Sequence, residues 1–352
     1  MNQSVSYQQV FNNIAKHIDL TQTEMEYMMR ALMQGELSDA QIGALLMGLR
    51  MKGESIDEIT AAARIMREFS KKINASDVPY LVDIVGTGGD GQNLFNISTA
   101  ATFVMAAAGA SVAKHGNRGV STKSGSSDLL EQAGIALDLG LPETERCLRE
   151  IGIGFLFAPN HHPAMKYVAA PRRDLGVRSL FNLLGPLTNP AGVKRLVVGV
   201  FSKELCRPMA EVLQNLGAEH VMVVHSQDGL DEISLANTTF VAELKDGQVQ
   251  EWQIQPEDVN ISSQTLHGLY VEDSTQSLAL IKDALGKNKS EQGEKAANMI
   301  ALNAGAGIYV AGLTKTYNQG VALAHDIIYG GQALEKMSVL SEFSRTLKQL
   351  QG

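Results

Sequence analysis

Up to about Lys72 the apolar residues recur three and four apart. Ile42, Leu45, Leu46 and Leu49 form one stripe, closed by Gly53, and Ile56, Ile59, Ala63 and Met66 form the next; this is the spacing of helices that bury one face. The polar residues between the stripes mark where helices begin. Thr21-x-x-Glu24, Ser38-x-x-Gln41 and Ser55-x-x-Glu58 each have capping-box spacing, in which a hydroxyl and an acid or amide three residues on satisfy each other's backbone donors. This region reads as all helix. Such stripes are usually core, and these read as core; only a stripe wider than a small bundle can bury would also meet a second subunit and make this region a dimerisation element.

Beyond the polar, proline-terminated stretch 71–79 the period changes. The runs YLVDIV, SVAKH, GFLFA, RLVVGVF and HVMVVHS alternate with helical stretches at 98–108, 128–133 and 203–216, which predicts an α/β sheet with helices on its faces. Two further strand-like runs around Gly247 predict a hairpin within 239–254, and from Ser274 onward the pattern is helical. Residues 161–190 interrupt the alternation, being rich in proline and arginine with no convincing strand. The expected organisation is a helical domain over 1–75, with 161–190 folding back against it, and an α/β domain over 76–352. A segment shared by both would wall a cleft, and clefts between domains are preferred ligand sites.

Composition narrows the class. With 352 residues, 44% apolar and 19% charged, the chain has the make-up of ordinary globular domains. Its net charge of −8 argues against general binding to nucleic acid, which draws its affinity from basic residues, so any anion site must be local. Cys147 and Cys206 lie far apart with no C-x-x-C, which fits a reducing compartment and indicates neither a disulfide framework nor zinc. The start MNQSVSYQQVF has no basic region followed by an apolar one, and the alanine-rich stretch 100–113 falls short of the ~20 strongly apolar residues of a membrane span. A cytoplasmic protein with no membrane or nucleic-acid partner is expected.

Three stretches carry candidate chemistry. The first follows YLVDIV: Gly86-Thr87-Gly88-Gly89-Asp90-Gly91, with a helix restarting near Asn96, Ser98 and Thr99. Glycines allow positive φ and leave N–H groups uncovered, and a helix start adds more, so the segment suits a phosphate, although a plain strand-to-helix turn has the same composition. It matches G-x-G-x-x-G, yet Asn93-Leu94-Phe95 intervene before the helix and no acid follows at the dinucleotide spacing; nor is there a Walker A sequence. The second stretch, 114–128, holds three cations, three glycines and five hydroxyls in fifteen residues after the strand SVAKH. Two such loops after neighbouring strands favour a phosphorylated ligand over a solvated basic loop, with Asp128 and Glu131 opening the next helix. The third is Asp228-Gly229-Leu230-Asp231-Glu232-Ile233, whose adjacent carboxylates suit magnesium shared with substrate phosphates, an acidic surface turn being the alternative. His161-His162 lacks the spacing of a metal pair and fits a cleft wall or a helix cap. No cysteine stands beside an obvious base, so nucleophilic catalysis has no support.

Taken in order, GTGGDGQNLFNIST, KHGNRGVSTKSGSSD, HHPAMKYVAAPRRDLGVRSLFNLLGPLTNP and DGLDEIS resemble the anthranilate phosphoribosyltransferase family over nearly the whole chain. The resemblance implies a small helical domain plus a larger α/β domain of the nucleoside phosphorylase type, usually a homodimer, and transfer of phosphoribose from phosphoribosyl diphosphate to the amine of anthranilate in tryptophan synthesis. Carried over by position, Gly86, Gly89, Asp90, Asn96, Ser98, Thr99, Lys114, His115, Gly116, Asn117, Arg118, Gly119, Val120, Ser121, Thr122 and Ser126 would hold phosphoribosyl diphosphate. Asn117 and Arg172 would contact anthranilate with Gly86 near its amine, and Ser98, Asp231 and Glu232 would hold Mg2+. Leu94 stands where the family more often has Ser or Thr, so one phosphate hydrogen bond is not expected. No residue is assigned as acid or base, because an aromatic amine keeps its lone pair at neutral pH and needs positioning instead. A pyrimidine nucleoside phosphorylase is similar in fold, but the Asp231-Glu232 pair and NLLGPLTNP speak against it; a silent, nucleic-acid-binding paralogue would need a basic surface that this chain lacks.

Overall fold

The computed structural model describes residues 5–89, 91–118 and 124–350. Four helices come first: α1 (Tyr7–Ala15), α2 (Gln22–Gln34), α3 (Asp39–Lys52) and α4 (Ile56–Glu68). The three capping boxes of Thr21, Ser38 and Ser55 are formed at the starts of α2, α3 and α4, each worth about 1 kcal/mol. Gly53 ends α3 with φ +85°, a left-handed conformation that favours glycine.

The chain then alternates: β1 (Leu81–Gly86), α5 (Ile97–Ala107), β2 (Ser111–Gly116), α6 (Ser126–Gln132), α7 (Leu141–Arg146), β3 (Ile153–Phe157), α8 (Ala158–His161), α9 (Lys166–Leu175), α10 (Leu180–Leu187), β4 (Arg195–Gly199), α11 (Cys206–Asn215) and β5 (His220–Ser226). The predicted hairpin is β6 (Thr239–Lys245) with β7 (Gln248–Ile254), and α12 (Ser274–Leu285), α13 (Glu291–Ala311), α14 (Tyr317–Gly330) and α15 (Gln332–Leu350) close the chain. One seven-stranded sheet has the order β3-β2-β1-β4-β5-β6-β7. The first five strands pair in parallel and the hairpin adds two antiparallel strands at one edge.

Alternate residues of each strand enter different cores. Ile84, Val112, Val197 and Met222 face the C-terminal helices, whereas Ala113, Leu196, Val198 and Val223 share a core with α2, α3, α4, α10 and α11. A parallel sheet covered on both faces explains why its strands read as nearly unbroken apolar runs. The first four helices are thus seated on the sheet through α10 and α11, and α9 lies against α3. Arg67 of α4 ties the units by donating to Leu187 O (2.6 Å) and Leu216 O (3.3 Å) at the ends of α10 and α11.

Candidate active site

The strand order reverses between β1 and β4, and ligands in open α/β sheets bind outside the carboxyl ends of strands at such a switch. Here the two strands end side by side, with Gly86 paired to Gly199. Both glycines are needed for space: a Cβ on Gly86 would overlap the Asp231 carboxylate, and one on Gly199 would overlap the Asp231 backbone carbonyl. Asp231 Oδ2 accepts from Gly88 N at 2.8 Å, so the acidic turn after β5 is bound to the glycine loop after β1. Gly88, Gly89 and Gly91 all have positive φ.

Two adjoining cavities open at this point. The smaller, about 220 Å³, is lined by the glycine loop, the start of α5, the end of β2 and the acidic turn. It brings together Gly86, Asn96, Ser98, Thr99, Lys114, His115, Gly116, Asn117, Ser126, Asp231 and Glu232, most of the predicted set. Leu94 is also on this wall, in a β-bridge with Tyr270. The larger, about 840 Å³, shares Gly86, His115, Gly116 and Asn117 and extends under α9 and α10 to Gly89, Arg118, His162, Arg172 and Arg178. Asp90, Gly119, Val120, Ser121 and Thr122 lie outside the described residues.

Lys114 is buried behind the smaller cavity, and its ammonium donates to Ile84 O (2.7 Å) and Ser98 Oγ (3.4 Å). Burial pushes its pKa down, countered by the fields of Asp83 and Glu232. Asp83 is a fully buried carboxyl in the middle of β1; burial raises it to about 6 against the pull of Lys114. It accepts from His115 N (3.4 Å) and from Asn189 Nδ2 (2.7 Å), and the same amide also donates to Ala113 O (2.8 Å). Asn189, from the NLLGPLTNP segment, thereby fixes β2 against β1.

The histidines belong to the larger cavity. His115 and His162 are buried with ring centroids 5.2 Å apart. Burial, then the mutual proximity of the histidines, lowers His115 to about 3, and burial lowers His162 to about 4. Both are neutral near pH 7. His115 Nδ1 meets Gly185 O at 3.2 Å, while the Nε2 atoms of both rings have no partner among the described residues.

Two arginines stand out. Arg172 has its guanidinium 5.4 Å from the centroid of Phe181, is pushed down in pKa by burial, and makes no ion pair among the described residues; Asp174 pairs with Arg173 instead (3.6 Å). Arg178, which lies within the 161–190 motif but carries no assigned role there, donates to Gly89 O (3.0 Å) and lies 4.4 Å above the Phe201 ring, at the junction of the glycine loop and the α9–α10 segment. The Arg118 guanidinium lines the larger cavity and is paired with Glu131 (2.7 Å) and Asp128 (3.3 Å). Of these, Asp83 has a visible signal, a lone carboxylate in an apolar strand, whereas Arg178 looks like any other arginine of its segment.

The donor set near Asp231 fits a metal shared with a ligand better than a closed cage. No group of three or more His, Cys, Asp or Glu residues forms a metal cage among the described residues. Two carboxylates and the Ser98 hydroxyl instead share a cavity with the phosphate-type loops, an all-oxygen arrangement that fits magnesium held jointly by protein, substrate phosphate and water.

Comparison with known proteins agrees with this geometry. Residues 8–70 match the model of the glycosyl transferase family helical bundle domain and residues 78–334 that of its a/b domain. The chain is 75% identical over 348 residues to an anthranilate phosphoribosyltransferase of Acinetobacter baumannii (strain ATCC 17978), covering 99% of this chain and 100% of the relative. It resembles the crystal structure of anthranilate phosphoribosyltransferase from Thermus thermophilus with TM-score 0.88 at 42% identity, covering 96% and 99% of the two chains. The fold is also that of anthranilate phosphoribosyltransferase from Saccharomyces cerevisiae in complex with PRPP and Mg, with TM-score 0.86 at 23% identity and coverage of 97% and 99%.

Proposed function

We infer that this chain, which belongs to the anthranilate phosphoribosyltransferase family, carries out the family's reaction in the cleft described above. It transfers phosphoribose from 5-phosphoribosyl 1-diphosphate to the amine of anthranilate, giving N-(5-phosphoribosyl)anthranilate and diphosphate in tryptophan biosynthesis. The observation that carries the assignment of sites is the pair of adjoining cavities meeting at Gly86, His115, Gly116 and Asn117, one suited to an anion and the other larger and walled by α9 and α10.

In this reading phosphoribosyl diphosphate occupies the smaller cavity. The N–H groups of Ser98 and Thr99 at the start of α5 face its phosphate groups with the positive end of the helix dipole, and Lys114 adds a buried positive charge. Asp231, Glu232 and Ser98 would hold magnesium, which would supply positive charge to offset the negative charge developing on the departing diphosphate. Anthranilate enters the larger cavity, where the planar Arg172 guanidinium grips its carboxylate through paired hydrogen bonds. Asn117 and the Gly86 backbone set the amine beside the ribose carbon. The neutral rings of His115 and His162 line this side without adding charge. Orientation is the main contribution, and the transition state is oxocarbenium-like with no covalent enzyme intermediate.

The same reading divides the chain into a helical unit, 1–75 with 161–190, and an α/β unit, 76–352. The homodimer forms through the helices, where Met47 and Met51 leave an apolar strip of α3 exposed. The two free, buried cysteines suit a cytoplasmic setting. No described helix is long and apolar enough to cross a membrane.

Release of diphosphate, read as phosphate after pyrophosphatase, tests the assignment. It should need anthranilate and magnesium together. Release with magnesium alone, or phosphorolysis of uridine or thymidine with no reaction of anthranilate, would contradict it.

A further inference from the structure

Asn96 occupies the N-cap position of α5. An asparagine there ordinarily turns its side-chain oxygen onto the N–H groups of the first turn. This one makes no such bond. Its Oδ1 accepts instead from Ser277 Oγ and from Ser124 Oγ, both at 2.7 Å, and its Nδ2 donates to Ser124 O at 3.1 Å. Ser277, fully buried in the first turns of α12, also accepts from Asn96 N at 3.0 Å. A residue 181 positions away in sequence therefore holds both the backbone and the side chain of the helix cap.

The approach of Ser277 is itself fixed. Phe95 N donates to Leu269 O (3.1 Å) and Val271 N to Asn93 O (2.8 Å), so the segment before α5 is strapped to the segment before α12 around the Leu94–Tyr270 bridge. With the cap drawn aside, the N–H groups of Ser98 and Thr99 have no partner among the described residues, and both residues line the smaller cavity.

We propose that Ser277 is a positioning residue for phosphoribosyl diphosphate: by holding the Asn96 side chain off the end of α5, it keeps the first-turn N–H groups open to a substrate phosphate. Ser277 does not line either cavity, so it acts through Asn96. Without its hydroxyl, Asn96 Oδ1 loses one of the two donors that restrain it and can turn onto the N–H of Ser98 or Thr99, competing with phosphate for the same groups. The anthranilate cavity is untouched.

This inference rests on assigning phosphoribosyl diphosphate to the smaller cavity. Ser277→Ala should weaken phosphoribosyl diphosphate binding, measured by calorimetry with magnesium, about five-fold, equivalent to about 1 kcal/mol, and raise the KM for that substrate alike. The KM for anthranilate should not change. The deciding control repeats Ser277→Ala in an Asn96→Ala background, where no side chain remains to swing and the second substitution should add nothing. A merely structural role for Ser277 would give the same loss in both backgrounds and overturn the proposal, as would unaltered affinity in the single variant. If Ser277→Ala does not fold, Ser277→Cys, a poorer donor of similar shape, carries the same cycle. Failure of the unmodified protein to bind phosphoribosyl diphosphate at all would instead overturn the assignment of the cavity.

Discussion

Acid should destabilise this protein through two buried histidines of the larger cavity. His115 and His162 are buried and neutral, with pKa values lowered to about 3 and about 4 from an ordinary 6.5. Below pH 6.5 the unfolded chain takes up protons on both rings while the folded chain does not, so stability is lost as pH drops through this window. Between pH 7.5 and 5 the loss is about 2 kcal/mol for each histidine. Asp83 acts in the opposite direction. Its carboxyl is raised from 3.8 to about 6, so the folded form gains a proton first as pH drops and recovers about 1.5 kcal/mol over the same interval. These three groups together give a loss of about 2.5 kcal/mol. His162→Asn removes one titrating ring, and urea unfolding at pH 7.5 and 5 should show a pH-dependent loss about 2 kcal/mol smaller than in the unmodified protein, whatever the substitution costs at either pH. An identical pH dependence in the two proteins would refute the reasoning.

Other substitutions test the site. Arg172→Ala removes charge-assisted hydrogen bonds worth roughly 1.5 to 3 kcal/mol, so the KM for anthranilate should rise about 10- to 150-fold with little change for phosphoribosyl diphosphate, and Arg172→Lys should restore part of it; an equal change for both substrates would return Arg172 to a structural role. Asp231→Asn with Glu232→Gln should lower activity sharply at limiting magnesium while circular dichroism is unchanged, and wild-type activity across a magnesium titration would remove the metal assignment. Gly199→Ala drives a Cβ into the Asp231 backbone and should cost about 1 to 3 kcal/mol along with activity; an unaltered melting temperature would show that the turn is free to move.

Much of the fold was legible because its signals are local. The capping boxes at Thr21, Ser38 and Ser55 need only residues three apart, and the strand runs YLVDIV and HVMVVHS announce a doubly covered sheet by being apolar nearly throughout. The glycine loop, the start of α5 and the Asp231-Glu232 turn are likewise visible in side-chain chemistry, and they line one cavity. What escaped depends on distance in sequence. Gly199 belongs to an apolar strand and gives no hint that Asp231 lies against it. The Ser277 hydroxyl sits in an ordinary amphipathic helix, and only folding brings it to Asn96. The neutrality of His115 and His162 is a property of burial and so has no counterpart in the motif.

Anthranilate fluorescence tests the central claim most directly. Purified protein mixed with phosphoribosyl diphosphate, magnesium and anthranilate should quench that fluorescence progressively, with one diphosphate released for each anthranilate consumed and no loss when either phosphoribosyl diphosphate or magnesium is omitted. Steady fluorescence in the complete mixture, from protein that is folded by circular dichroism, would contradict the account.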